Sequence, residues 1–185
     1  LVSPSIDMNP AQSSIAMLIG CIAISAPAIV EARIYLSIKQ VKSLFFPKEV
    51  LKKSPIIISD DLQKKMRSIS SVRHPFKGDK IWKTADGSWL IVDEVLGKHE
   101  MITYAVGINS KGEILGIEIM EYVESYGYEI QGDDWRRQFI GKTASHPIKL
   151  NQDIQNISGA TLSAKHVTDG VKRVMTLYDI ALKSE

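Results

Sequence analysis

The chain has one cysteine, Cys21, in 185 residues. That excludes an intrachain disulfide, and it excludes a Cys-ligated iron–sulfur cluster or a C-x-x-C-H haem site supplied by this chain alone. Aromatics are sparse at 7%, and the net charge is only +2. With no basic block and no aromatic ladder, nucleic acid is not an expected partner. Nucleotide-loop signatures are missing too. Gly141-Lys142-Thr143 hints at a phosphate loop, but Arg136 stands where the leading glycine belongs. There is no G-x-G-x-x-G and no G-x-S-x-G. His74, His99, His146 and His166 do not pair at metal-ligand spacing, so no metal site is expected. Asn156-Ile157-Ser158 fits a glycosylation sequon, but nothing else supports one. No catalytic residue is assigned.

Charge is also absent from Met8 to Val30. The apolar heart, from Ile15 to Val30, is interrupted by Pro27 and reads as the hydrophobic region of an export signal. Residues 1–32 are therefore expected to be an export signal or a membrane anchor. Val30 and Ala32 suit cleavage before Arg33. Two rivals stay open: Leu18-Ile19-Gly20-Cys21 resembles a lipobox, and the segment could be retained as an anchor. A retained anchor followed by Arg33, Lys39 and Lys42 would favour a cytoplasmic domain.

Beyond the leader, Ser37 is a good N-cap for an amphipathic helix with Ile38, Val41, Leu44 and Phe45 on one face, ended by Pro47. Pro55 to Ile58 reads as a small extended piece. Ser59 and Asp60 start a second helix with Leu62, Met66 and Ile69 inward. Strands are expected over 80–84 and 89–95, joined by a turn at Asp86-Gly87. A hairpin follows, with Ile102, Tyr104, Val106 and Ile108 on one arm, Leu115, Ile117 and Ile119 on the other, and Asn109 to Gly112 as its turn.

The most informative stretch is Ser158-Gly159-Ala160-Thr161-Leu162-Ser163. Gly159 permits a backbone turn that other residues resist. Gly159 and Ala160 leave room for a flat ligand against the main chain. Val167, Val171, Val174, Met175, Tyr178, Ala181 and Leu182 then recur at helical spacing. Thr161 thus stands where a loop enters a helix N-terminus, where free N–H groups and the dipole favour an anion such as phosphate. His166 is expected on the first turn of that helix.

Asp153 to Val174, DIQNISGATLSAKHVTDGVKRV, resembles the signature of the FMN-binding domain family. That family includes flavin-carrying subunits of the sodium-pumping NADH:quinone oxidoreductase and of Rnf complexes. The resemblance implies FMN carried as a phosphoester on the threonine that ends S-G-A-T, here Thr161, and installed by a flavin transferase. A second matching segment is Met120 to Lys142, MEYVESYGYEIQGDDWRRQFIGK. In it Glu124 matches an acidic position, Gly127 a glycine and Gln138-Phe139-Ile140-Gly141-Lys142 a Q-F-x-G-K element, while Tyr126 stands where proline is common. The resemblance makes Glu124, Tyr126 and Gly127 flavin contacts beside Ser158, Gly159, Ala160, Thr161, Leu162 and Ser163. Trp135 and Phe139 read as core aromatics. One departure stands out. Many flavinylated relatives carry an acid three positions before the serine, where this chain has Gln155; Asp153 matches another position that is often acidic.

The resemblance implies an α+β fold, a twisted antiparallel sheet with packed helices, over residues 33–185. It implies an exported flavoprotein, periplasmic or extracytoplasmic and membrane-associated or not, that relays electrons between redox partner proteins or within a membrane electron-transfer complex. The alternative is a non-catalytic assembly or sensory module with FMN bound non-covalently or not at all.

Overall fold

The computed structural model describes residues 33–34, 36–124 and 127–184. The leader, with Cys21, Val30 and Ala32, and the site candidate Tyr126 lie outside the described residues.

The chain opens with β1 (Arg33–Ile34) and α1 (Ile38–Phe45). The Ser37 hydroxyl accepts the Gln40 N–H at 3.3 Å, and the Gln40 side chain accepts the Ser37 N–H at 2.8 Å, a reciprocal capping box. Then come β2 (Lys52–Lys53), α2 (Asp60–Ser70, capped by Ser59), β3 (Ile81–Lys83), β4 (Trp89–Leu96), β5 (Met101–Ile108) and β6 (Ile114–Tyr122). A 3-10 turn (Tyr128–Gln131), the short α3 (Asp133–Arg136) and a second 3-10 turn (Arg137–Phe139) lead through a loop to α4 (Thr161–Leu177), which ends in a π-helical turn.

The six strands form one sheet in the order β1-β6-β5-β4-β3-β2, antiparallel at every pairing. The fold is α+β, as the resemblance implies. Helices cover both faces. Ile91, Val95, Tyr104, Val106 and Ile117 pack with Val167, Val171 and Val174 of α4, Met66 of α2, and the edge-to-face pair Trp135–Phe139. On the other face, Leu90, Val92, Ala105 and Met120 pack with Val41 of α1. This explains why β4 reads as a nearly continuous buried run rather than a strict alternation.

Packing, not propensity, holds α4. It contains Gly170 and several β-branched residues, each costing about 0.5–1 kcal/mol against alanine. Burying Val167, Val171, Val174, Met175 and Leu177 completely returns roughly 1.5–3 kcal/mol apiece.

Several expectations need correction. Pro55 to Ile58 is not a strand. Ser54 and Ile56 donate to the carbonyls of Ile81 and Gly78, but Pro55 has no N–H to continue the ladder, and Ile57 is 95% exposed. The short strand lies earlier, at Lys52–Lys53. In α2, Ile69 points outward and Ser70 is buried instead, its hydroxyl donating to the Met66 carbonyl at 2.6 Å. Leu115 leaves the alternation because β6 is bulged: Ile114 faces Ile108 and Gly116 faces Gly107, so Leu115 is the extra residue. A second bulge leaves Met120 between Ile119 and Glu121 and sends it to the α1 face. Among the described residues, no helix is long and apolar enough to cross a membrane.

Candidate functional site

α4 begins at Thr161, where the sequence places a helix start. Its N-cap is Ala160, whose side chain cannot accept a hydrogen bond. The N–H groups of the first turn have no carbonyl behind them within the helix. Gly159, at φ +86°, turns the chain into the cap, and a Cβ there would meet no atom within 4 Å. The loop therefore has an open side next to bare N–H donors.

The Thr161 side chain is exposed and oriented. Asn156 Nδ2 donates to Thr161 Oγ1 at 3.2 Å, while Asn156 Oδ1 accepts the Ile157 N–H at 2.8 Å and fixes the amide. An amide nitrogen only donates, so the Thr161 oxygen accepts here and keeps its own proton for another partner.

The opposite wall comes from β6 and the turn between β4 and β5. Glu124 Oε1 accepts the N–H groups of His99 (2.5 Å) and Glu100 (3.1 Å). Gly97 closes the same turn by donating to the Glu100 carbonyl at 2.7 Å. A Cβ at Gly97 would sit 2.9 Å from Glu124 Oε1, so only glycine leaves room for the carboxylate. Below, the Tyr122 hydroxyl lies 3.4 Å from Glu124 Oε2 and 3.1 Å from Ser163 Oγ. Burial, with Glu124 close by, raises the Tyr122 phenol above its ordinary pKa and keeps it protonated. Gly127 has φ +93°, and a Cβ on it would come within 2.5 Å of the Tyr122 hydroxyl and 2.7 Å of Ser163 Oγ.

These elements enclose a cavity of about 660 Å³ lined by Lys98, His99, Glu100, Val123, Glu124, Gly127 and the run Gly159 to Ser163. The volume is that of a small-molecule site. The two matching segments, separated by a ten-residue loop, meet here. Ser158 is exposed and stands just outside the lining. Glu124 lines the cavity, but its carboxylate is engaged by the turn above it.

Sequence reading missed Lys98, His99, Glu100 and Asn156. Asn156 was visible only as half of a sequon, and the turn carries no motif; only the pairing of Leu96 with Met101 brings it over the cavity. His166 lies on the second turn of α4, because the helix starts no earlier than Thr161, and its Nδ1 is 3.2 Å from the Gly97 carbonyl. Asp153 is a loop clamp: it pairs with Lys142 at 3.0 Å and accepts the N–H groups of Ile148 and Lys149.

The residues present suit FMN. Uncapped N–H groups and Lys98 meet the needs of a phosphate, the threonine hydroxyl lies beside them, and Leu162, 48% exposed, offers an apolar surface.

Comparison with known proteins agrees. Residues 97–176 match the family model of the FMN-binding domain. Similar curated proteins include a subunit of the ion-translocating oxidoreductase complex of Shewanella piezotolerans, 28% identical over 52% of this chain and 51% of the relative. A subunit of the Na(+)-translocating ferredoxin:NAD(+) oxidoreductase complex of Acetobacterium woodii is 32% identical over 39% of each chain. The chain thus spans about half the length, or less, of the curated relatives it matches. The matched segment runs from the turn over the cavity to the end of α4 and contains both walls of the site. Residues 97–176 of this chain are thus similar to the FMN-binding domain, and that match indicates FMN as the cofactor.

Proposed function

We propose that the chain holds FMN through a phosphoester on Thr161 Oγ1 and serves as an electron relay within, or docked to, a membrane electron-transfer complex outside the cytoplasm. The observation that carries this reading is an exposed, amide-oriented threonine hydroxyl at an uncapped helix N-terminus, opening into a cavity of about 660 Å³. FMN supplies a ring that takes up and gives out electrons. The chain's own residues do the rest. The α4 N-terminus and Lys98 face the phosphate's charge, Gly127 and Gly159 leave space, and Glu124 holds the turn at 97–100 in place. Relay rather than substrate conversion is supported by the carboxylate of this wall being bound by two backbone N–H groups instead of pointing at a substrate. The relatives' names, which place them in ion-translocating oxidoreductase complexes, support the membrane setting.

Attachment requires a flavin transferase, and Gln155 in place of the frequent acid is expected to slow it. Export with cleavage before Arg33 is part of the proposal. It is supported by the uncharged run from Met8 to Val30 and by Arg33 entering the sheet at once, opposite Tyr122.

The test is intact mass and absorbance of the denatured protein. The expected result is a mass increase of one FMN less one water, with flavin absorbance staying with the polypeptide and lost in Thr161→Val. Flavin that leaves on denaturation, or that maps to Ser158 or Ser163, overturns the assignment.

A further inference from the structure

A second cavity of about 530 Å³ is lined by the same β4–β5 hairpin as the first. Its wall is shared: Leu96 and Met101 are the paired residues at the base of the hairpin whose tip, Lys98 to Glu100, lines the first cavity. The floor is apolar, from Val72, Val95, Leu96 and Met101. Leu96 is 52% exposed at the end of a strand whose other large apolar residues are buried. The rim carries Arg73, Lys165 and Asp169, with His74 and His166 between.

Charge and hydrogen bonding narrow the occupant. Lys165 is matched by Asp169, Nζ to Oδ2 at 2.6 Å. Among the described residues, the Arg73 side chain has neither an ion pair nor a hydrogen bond. One positive charge is thus left over, and it belongs to the group with a planar donor fork that fits a carboxylate. His166 adds a directed contact. A carbonyl oxygen only accepts, so the bond to the Gly97 carbonyl needs the proton on Nδ1, leaving Nε2 turned from that contact.

We propose that this cavity binds a small apolar molecule bearing one carboxylate. The body lies on Val72, Val95, Leu96 and Met101, and the carboxylate meets Arg73. The volume lies within the range of small-ligand sites, where an apolar lining with few polar groups fixes orientation. The site does not depend on how FMN is held.

The test is a titration of the full chain, ¹⁵N-labelled and carrying Thr161→Val so that no flavin is attached, with 2-naphthoate and with its neutral counterpart 2-naphthalenemethanol. Saturable amide shifts are expected at residues 72–74, 96, 101 and 165–169, with the carboxylate binding roughly two- to fivefold tighter, the range of one exposed charge pair. Arg73→Gln should bring the two affinities together, and Leu96→Ser should weaken both; both residues are exposed, so the fold should survive. No saturable binding, shifts confined to the Gly127 and 159–163 cavity, equal affinities, or a preference that survives Arg73→Gln would each overturn the proposal.

Discussion

Arg173 of α4 grips Asp93 of β4 with Nη2 at 2.8 and 2.7 Å from the two carboxylate oxygens and Nε at 3.0 Å from one of them. Both side chains are buried, and the guanidinium also donates to the carbonyls of His74 and Glu94. The Tyr104 hydroxyl completes the group by donating to Asp93 at 2.6 Å. The pair joins the helix that starts at Thr161 to the strand that leads into the 97–100 turn, and so ties together the two sides of the cavity at Thr161. Arg173→Ala should leave Asp93 uncompensated and cost about 3–5 kcal/mol, measured by urea unfolding. The double variant Arg173→Met with Asp93→Leu should be markedly less damaging, since no charge is then stranded.

Acid should loosen the loop before α4. Partial burial alone would raise the Asp153 carboxyl, but the N–H of Lys149, the Lys142 ammonium and the N–H of Ile148 outweigh it and hold the pKa below the ordinary 3.8. The hydrogen bond from Lys80, then the charges of Lys80 and Lys77, likewise hold Glu94 below its ordinary 4.5. A carboxylate with a depressed folded pKa contributes stability above its unfolded pKa and loses it as pH falls through the folded one. Stability should therefore be level above about pH 5 and decline from about pH 4.5 downward. Asp153→Asn should lower the plateau and flatten that decline; an unchanged slope would show that the clamp contributes nothing.

Glu124 should act through the turn it holds. In Glu124→Ala the N–H groups of His99 and Glu100 lose their acceptor, at about 1–2 kcal/mol of local stability. Hydrogen exchange at those two amides should accelerate while exchange in β5 stays unchanged. Flavin loading should drop together with that protection. Glu124→Gln, which keeps an acceptor oxygen, should recover most of both.

Gln155 should be replaceable without structural cost. Its backbone is fixed, N–H to Gln138 Oε1 at 2.7 Å and carbonyl to Trp135 Nε1 at 2.9 Å, but the residue is exposed. Gln155→Asp should leave the melting temperature within about a degree or two, as exposed substitutions do. It should raise covalent loading when the protein is co-expressed with a flavin transferase. Equal and complete loading of both proteins would make the position irrelevant.

Local signals made much of this legible. Ser37 and Ser59 announced two helices because a hydroxyl before an amphipathic run has one dominant use. The β5–β6 hairpin was readable from alternation, but not its bulges, because the extra residue at Leu115 is chosen by tertiary packing. The two site segments were legible as motifs, and their meeting followed. The turn at Lys98, His99 and Glu100 was not legible, since its place depends on β4 and β5 pairing to their very ends. Ile69 misled because helical spacing alone does not say how wide the buried stripe is.

The helix that begins behind Ala160 is the weak end of an otherwise well-packed element. Ala160 is buried, and its φ of −120° and ψ of 22° are not the extended geometry of a capping residue, so the protein supplies no side-chain cap for the first turn. The chain leaves that end open, so under the proposed attachment completing it would fall to the phosphate. On the proposed attachment, maturation would double as thermostabilisation: loaded chains should melt at a higher temperature than unloaded ones before any electron has moved, and a cell that degrades the less stable form would remove unloaded copies without any sensor for flavin.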